Sequence, residues 1–347
     1  MIRKVVASVL GLVLAASLTA CDPPMPPSVL AQLSEQTYTC VEGSALVYSP
    51  AEMSDAVTAL QDSLAAACID PLPAMTMESA DEANSDIELT LSPEKISNAF
   101  LTLPFATETA DLAFSLDVST SLNLSAKTAA GILNGSISNW DDPAIVSENP
   151  DIEMPAEPIV LRTSADSLAF ASLGAWLKHL GSPITANFEL TQDSTSAEPL
   201  SEGEVAIIPH SQNQTLGGSA ASIIVGKHKG EPLIANADTD GIIAATTQWV
   251  SQKTKSGISV SIDYKKPVTI PDGSSSAATP YQAIYPVYAV LKGKNSLLKR
   301  AVVTFLLRLD SQGSLGASVY SPIDENTRVN AVAMARVGLP PVKFPKK

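Results

Sequence analysis

Basic residues are scarce in this chain. Its 347 residues hold 22 Lys and Arg against 36 Asp and Glu, a formal net charge of −14. That balance argues against nucleic acid and against an anionic membrane surface as partners, because both require a basic footprint. Histidine is scarcer still. His179, His210 and His228 are scattered, and no spacing suits a metal ion, so neither a metal nor a cofactor is expected. There is no G-x-S-x-G elbow. An S-x-x-K match, Ser296–Lys299, lies in an amphipathic helical pattern without companion motifs, so no enzyme is expected. There is no internal repeat. The one long apolar run, Val5–Ala16, is too short to span a bilayer, and no later stretch is long enough.

What is present begins with that run. Arg3 and Lys4 precede it and "LTAC" at Leu18–Cys21 closes it, which reads as a secretory signal peptide over residues 1–20. The "LTAC" ending resembles a bacterial lipobox. That resemblance implies cleavage before Cys21 and lipidation of its thiol; the alternative is an ordinary signal peptide with an incidental cysteine. Processing would remove two basic residues and leave the chain more acidic. Residues 21–37, rich in Pro and polar residues, read as a lipidated N-terminus and tether. The expected location is the extracytoplasmic face of the bacterial cell membrane, held there by the lipid anchor only.

Besides Cys21, Cys40 and Cys68 remain, an even pair in an oxidising compartment. Ser44–Tyr48 reads as a strand. Ala51–Ala67 reads as a helix with Met53, Val57, Leu60 and Leu64 on one face. Cys40 precedes the strand and Cys68 follows the helix, at the same end of such a hairpin, so the geometry permits a disulfide. Two free buried thiols are the alternative.

Further along, short apolar strands alternate with helical patterns. Ala110–Asp117, Val205–Pro209, Ser222–Gly226 and Tyr285–Gly293 read as strands. Ser125–Gly135, a stretch from Asp238 or Asp240 to Gln252, and Ser296–Gly313 read as helices. Gly226–Gly230, "GKHKG", reads as a loop tip. The alternation predicts an α/β architecture.

The run "LNLSAKTAAGILNGSISNWDDPAIVSENPDIEMPAEPIVLRTSADSLAF" is the most specific in the chain. Leu124, Ser125, Thr128, Ile132, Gly135, Ile137, Trp140, Asp142, Pro143, Ile145, Asn149, Pro150, Pro155 and Arg162 fall in register with a recurrent pattern. It resembles the phosphate-binding protein of high-affinity phosphate ABC importers. The resemblance extends more loosely from Leu103 to about Leu339. It implies a type II periplasmic binding protein: two α/β domains joined by two crossover strands, with a cleft between them. The crossovers are expected near Leu103–Ala106 and Ile284–Tyr288. Domain 1 would comprise residues 38–104 plus 286–347, and domain 2 residues 105–285.

The resemblance also implies a ligand site and two partners, a small anionic solute such as phosphate and an ABC permease. Arg162 would grip the anion, with Thr163, Ser164, Asp166 and Ser167 forming the turn that follows. Ser44 and Ala45 would lie in the matching turn of domain 1. This turn departs from the family pattern. Ser164 stands where the family has the Asp that accepts the ligand's proton, and Asp166, Ser167 and Leu168 replace Ser, Gly and Thr. A carboxylate about 4 Å from an anion repels it by roughly 4 kcal/mol at an effective dielectric near 20. Asp166 followed by "SLAFASLGAWLKHL" also makes a good helix N-cap. The loop is therefore expected to cap its helix first and to bind phosphate poorly, with Arg162 facing either Asp166 or an external anion. The function expected is that of a solute-binding protein. The alternative is a binding-protein fold that has lost its transported ligand and serves as an interaction module at the cell surface.

Overall fold

The computed structural model describes residues 38–118, 121–191, 198–268, 278–315 and 319–340. The signal peptide, Cys21 and the tether lie outside the described residues. The chain opens with β1 (Gly43–Tyr48), a single helical turn (Ala51–Met53) and α1 (Ser54–Ala67). Met53, Val57, Leu60 and Leu64 recur at helical spacing, and all four are buried. Strands β2 (Met75–Ser79) and β3 (Ile87–Thr90) run parallel to β1. Strand β4 (Ala99–Phe114) is 16 residues long.

After β5 (Asn123–Ser125) come α2 (Ala126–Leu133) and α3 (Pro143–Glu148). The Ser125 hydroxyl accepts the Thr128 N–H at 3.1 Å and so caps α2. Gly135, at φ +72°, ends that segment in a left-handed turn. Then follow β6 (Val160–Leu161), β7 (Ser164–Asp166), α4 (Ser167–His179), β8 (Glu189–Thr191), β9 (Glu204–Pro209), α5 (His210–Thr215) and β10 (Ser219–Ala220). The hairpin of β11 (Ser222–His228) and β12 (Glu231–Ala235) carries "GKHKG" at its tip. The chain continues with α6 (Thr239–Thr246), β13 (Trp249–Lys253), β14 (Ile258–Ile262), β15 (Ile284–Lys292), α7 (Leu297–Leu306), α8 (Leu309–Ser314) and α9 (Glu325–Ala335).

Two helices are shorter than their patterns predict. The Asp238–Gln252 pattern is helical only to Thr246, and Trp249–Lys253 pairs instead with Ile258–Ile262. Two β-branched threonines followed by Trp249 and Val250 favour the strand there. The Ser296–Gly313 pattern breaks at Leu307 and Arg308 into α7 and α8. Arg308 leaves helical geometry and sets its guanidinium over the rings of Tyr38, at 4.6 Å, and Phe305, at 5.0 Å.

The main sheet has the order β2-β1-β3-β15-β4-β9-β6, with β10 added beside β4. Antiparallel strands β4 and β15 hold it together. Residues 99–109 of β4 pair with β15, and residues 110–114 pair with β9. Pro104 and Pro286 lie in these strands, where proline offers no N–H. The ladder shifts register at Val287/Tyr288, beside Pro104. Thr107, opposite Pro286, donates its N–H to the Ser321 carbonyl at 2.8 Å.

Two hydrophobic cores flank this pair. The first gathers β1, α1 and β3 with Leu103, Phe105 and Ala106 of β4, Val287 of β15, and α7 and α9. The second gathers Ala110, Leu112 and Phe114 of β4 with α2, α4, β9 and Tyr285. Ile242, Ala245, Trp249 and Ile258 pack into the first core, although they belong to the segment expected in domain 2. β4 thus passes from one core to the other between Ala106 and Ala110. Both its faces are covered, and every residue from Leu103 to Phe114 is buried.

A disulfide joins Cys40 to Cys68 across 28 residues, at the end of the strand–helix hairpin where the sequence permits it. Beside it the Tyr38 hydroxyl donates to the Ala67 carbonyl at 3.0 Å. Closing a loop of this length contributes about 3–4 kcal/mol by restricting the unfolded chain. Reduction is expected to lower the urea unfolding free energy by that amount. Two alkylatable thiols in the unreduced, denatured chain would contradict the bridge.

Candidate functional site

In an α/β sheet, ligands gather in the crevice beyond the C-terminal ends of the parallel strands. A cavity of about 410 Å³ lies there. Tyr48, Ser49, Pro50, Ala51 and Glu52 bring the end of β1 and the turn that follows it. Glu88 to Ser92, with Lys95, bring the end of β3 and its loop. Asp166, Ser167 and Leu168 bring the N-terminus of α4. Glu82, Pro209, Ser211 and Tyr320 complete the wall. Leu89 belongs to the first core and Leu168 packs against the second, so both cores contribute.

Two of the sequence-predicted site residues meet here, Asp166 and Ser167. Asp166 is buried, and one carboxylate oxygen accepts the N–H groups of Leu168 and Ala169, each at 2.9 Å. The carboxylate thereby occupies the helix N–H groups that an anionic ligand would use. Burial raises the Asp166 pKa, partly offset by these two N–H groups and by Lys95.

Arg162 does not line the cavity. Its Nε and Nη2 form a bidentate pair with Glu204, at 2.7 and 3.1 Å, and Nη1 donates to the Glu198 carbonyl at 3.0 Å. Its partner is therefore neither Asp166 nor an external anion. Burial alone would raise the Glu204 carboxyl, but the Arg162 guanidinium and the Ser201 N–H bring it below its usual value. Thr163 is exposed and gives its carbonyl to the Glu189 N–H at 2.8 Å. Ser164 begins β7, paired with β8, and does not line the cavity. Ser44 and Ala45 lie in the body of β1, four and three residues before Tyr48 at its cavity end. Ser44 donates to Glu78 at 2.7 Å, and Ala45 is fully buried. The turn that meets the cavity is Tyr48–Glu52, past the segment the family pattern marks.

Charge in the cavity is lopsided. Glu52, Glu82, Glu88 and Asp166 line it, with Lys95 as the lining cation among the described residues. Glu88 is balanced from behind by Lys292 at 3.0 Å.

Under the cavity lies a polar layer that the sequence pattern does not reveal. Glu108, buried on β4, accepts from the Ser211 hydroxyl and from the Thr109 N–H at 2.8 Å. Burial pushes its carboxyl up to about 7, against the lowering effect of these bonds and of His210. Three residues further along β4, Asp111 accepts from the Asn213 amide at 2.8 Å and faces His210 Nδ1 at 2.9 Å. Burial would depress the imidazole, but Asp111 and Glu108 hold it above its usual value. The signal was the run "TETAD" itself, since buried acids on a strand demand internal partners.

No protein-family model matches the chain. Phosphate-binding protein PstS 3 of Mycobacterium leprae is 28% identical over 237 residues, 61% of this chain and 62% of the relative. PstS3 of Mycobacterium bovis BCG is 28% identical over 246 residues, 63% of each. The chain thus spans under two thirds of the length of the curated relatives it matches. Among solved structures, a putative phosphate ABC transporter substrate-binding protein from Clostridium perfringens, with bound phosphate, aligns over 81% of this chain and 100% of its own. Its identity is 12% and its TM-score 0.45. An ABC-type phosphate transport receptor from Vibrio cholerae aligns over 80% and 99%, with 12% identity and a TM-score of 0.41. By sequence the chain is therefore similar to proteins named as phosphate-binding proteins.

Replacing the cap, Asp166→Ala, is expected to destabilise by about 1 kcal/mol, and Asp166→Ser by about 0.5 kcal/mol or less, in urea titrations. Equal losses would contradict the capping role. Glu108 and His210 both hold a proton more tightly folded than unfolded. Their contribution to stability is therefore complete at low pH and lost as pH rises, between 4.5 and about 7 for Glu108 and from 6.5 upward for His210. Unfolding free energy should fall by about 1–3 kcal/mol from pH 5 to 8, at about 1.4 kcal/mol per pKa unit. Glu108→Gln, which keeps an acceptor for Thr109, should flatten the lower part of that slope. A parallel slope in the variant would refute the assignment.

Proposed function

We propose that this chain is a lipid-anchored extracytoplasmic solute-binding protein of an ABC importer, resembling the phosphate receptor but with a diverged ligand site. The observation that carries this reading is the cavity of about 410 Å³, of mixed polar and apolar lining, at the C-terminal ends of β1 and β3, walled by residues of both cores. Its size is that of a small-molecule site. The similarity to phosphate-binding proteins of mycobacteria and the "LTAC" ending support the same reading.

In this account the two cores act as two domains, and β4 and β15 are the crossovers about which they close on a solute. The interrupted ladder at Pro104, Thr107 and Pro286 suits a bend, because fewer cross-strand bonds resist it there. A permease would then recognise the closed form. A phosphate in this cavity would have to rely on Lys95 and neutral donors, since Arg162 is engaged by Glu204. The alternative, an interaction module without a ligand, calls for a collapsed or apolar cleft with Asp166 bonded to its own helix. Asp166 is bonded in that way, which suits the alternative; the open cavity, lined by both polar and apolar groups, favours a receptor.

Two measurements test this reading. Cys21→Ser should release the protein from the membrane fraction, and membrane retention of the processed variant would refute the anchor. Native mass spectrometry of the chain purified from its own cell should find one small molecule bound per chain. A ligand-free mass under conditions that preserve noncovalent complexes would count against the receptor.

A further inference from the structure

We propose that the end of the first core around Tyr38 is a lipid-facing surface, which rests on a bilayer of zwitterionic headgroups and turns the cavity away from the membrane. This rests on the lipid-anchored reading above. It adds a protein contact to an attachment otherwise made by the anchor alone.

Val337, Ile69 and Leu309, at 63%, 61% and 57% exposure, are the three most exposed large hydrophobic side chains among the described residues. They are far apart in sequence, yet each lies beside a group that touches Tyr38, Thr39 or Cys40. Ile69 follows Cys68, which is bridged to Cys40, and Ala67, whose carbonyl accepts from the Tyr38 hydroxyl. Leu309 follows Arg308, whose guanidinium stacks on the Tyr38 ring. It also opens α8, which packs against α1, the helix that ends just before Cys68. Val337 stands shortly before Pro340, whose carbonyl accepts from the Thr39 hydroxyl at 3.5 Å. Leu72, also exposed, is turned back toward Ile69 by a bond from its N–H to the Ile69 carbonyl at 2.8 Å. An apolar gathering of this kind on a protein surface marks an interaction site.

The occupant follows from where the rest of the chain joins the fold. In the anchored reading the lipid is on Cys21, and the described chain begins at Tyr38, at this patch. Residues 21–37, 17 in all, separate the two and span at most about 60 Å. The end of the fold that carries Tyr38 is thus the end drawn to the lipid surface. A contact too weak to hold a free protein suffices there, because the anchor makes it intramolecular. The chemistry agrees. Aliphatic side chains around an amphipathic tyrosine suit the boundary between headgroups and acyl chains. The charges adjoining these residues in sequence are Asp70, Arg308, Asp310 and Arg336, two of each sign, with Arg308 paired to Asp310. They form no basic footprint, so apolar insertion and not attraction to anionic lipid would hold the contact. Strand β1 starts at Gly43, close to the patch, and ends at Tyr48 on the cavity wall. The cavity therefore lies at the far end of β1, about 17 Å along the strand. A chain resting on this face holds that end outward, toward solutes arriving from outside the cell.

The test attaches a fluorophore at Ile69→Cys or Leu309→Cys in the full processed, lipidated chain, and at Val160→Cys or Leu190→Cys for comparison. The comparison sites are apolar and similarly exposed, at 54% and 50%, but lie on β6 and β8. Cys40 and Cys68 are bridged and Cys21 is acylated, so the introduced thiol takes the label. An unchanged thermal midpoint would show that each labelled variant is folded. The chains are bound to phosphatidylcholine vesicles that carry a quencher on their acyl chains. Quenching at 69 and 309 is expected to exceed that at 160 and 190 at least twofold. Equal quenching at all four sites, in chains that sediment with the vesicles, would overturn the lipid-facing surface and leave the anchor intact. Chains that do not sediment with the vesicles would overturn both. A dimer of the unlipidated Cys21→Ser chain that dissociates in Ile69→Ser/Leu309→Ser/Val337→Ser would also overturn the proposal, by assigning the patch to a second copy.

Discussion

The pairing of β4 with β15 is the constraint from which the rest of the structure follows. One half of β4 belongs to the ladder of the first core, and its last residues belong to the second. The strand is covered on both faces, so its polar side chains cannot reach water. Glu108 and Asp111 must therefore find partners inside, and Ser211, His210 and Asn213, all in the first turns of α5, supply them. This binds α5 to the strand and brings Ser211 to the cavity wall. The ladder is interrupted where the strand changes cores, at the two prolines and at the Thr107 bond to Ser321. A joint that is covalently continuous but short of cross-strand bonds is a natural place for bending.

A second theme is internal substitution of the ligand's chemistry. In the related binding proteins the resemblance implies an arginine and a helix N-terminus that meet an anion. Here each has a carboxylate of its own. Glu204 meets Arg162 through two nearly parallel charge-assisted bonds, with both side chains largely buried. Asp166 meets the N–H groups of Leu168 and Ala169. To recruit either device, an anion would first have to displace a group tethered at high effective concentration. The folded state gains a cap and an ion pair, and both anion donors are taken up from within. The same two contacts thus bear on both stability and selectivity.

Much of the fold is legible in the sequence. Helical spacing marks α1, capping residues mark α2 and α4, and the cysteine pair marks the first hairpin. β4 is only partly legible, because Pro104 and the acids of "TETAD" contradict a buried strand locally, and only their distant partners resolve the conflict. The candidate site is legible on one side. Asp166 followed by a helical pattern announces its own capping role. On the other side the wall is built from Tyr48–Glu52 and Thr90–Lys95, whereas the family pattern points to Ser44 and Ala45. A motif read along the strand cannot locate the turn without knowing where the strand ends. Arg162 illustrates a further limit. Its position is visible in sequence, but its partner, Glu204, lies 42 residues away on a neighbouring strand, where no local pattern marks it.

The central claim is that three separate stretches, Tyr48–Glu52, Thr90–Lys95 and Asp166–Leu168, form one solute site between the two cores. Hydrogen–deuterium exchange tests it most directly, comparing the chain as isolated from its cell with the same chain stripped by unfolding and refolded without reduction. The account requires backbone protection to appear in all three stretches together in the isolated form and to disappear together on stripping. Protection confined to one stretch, or unchanged in all three while a solute is present, would contradict it.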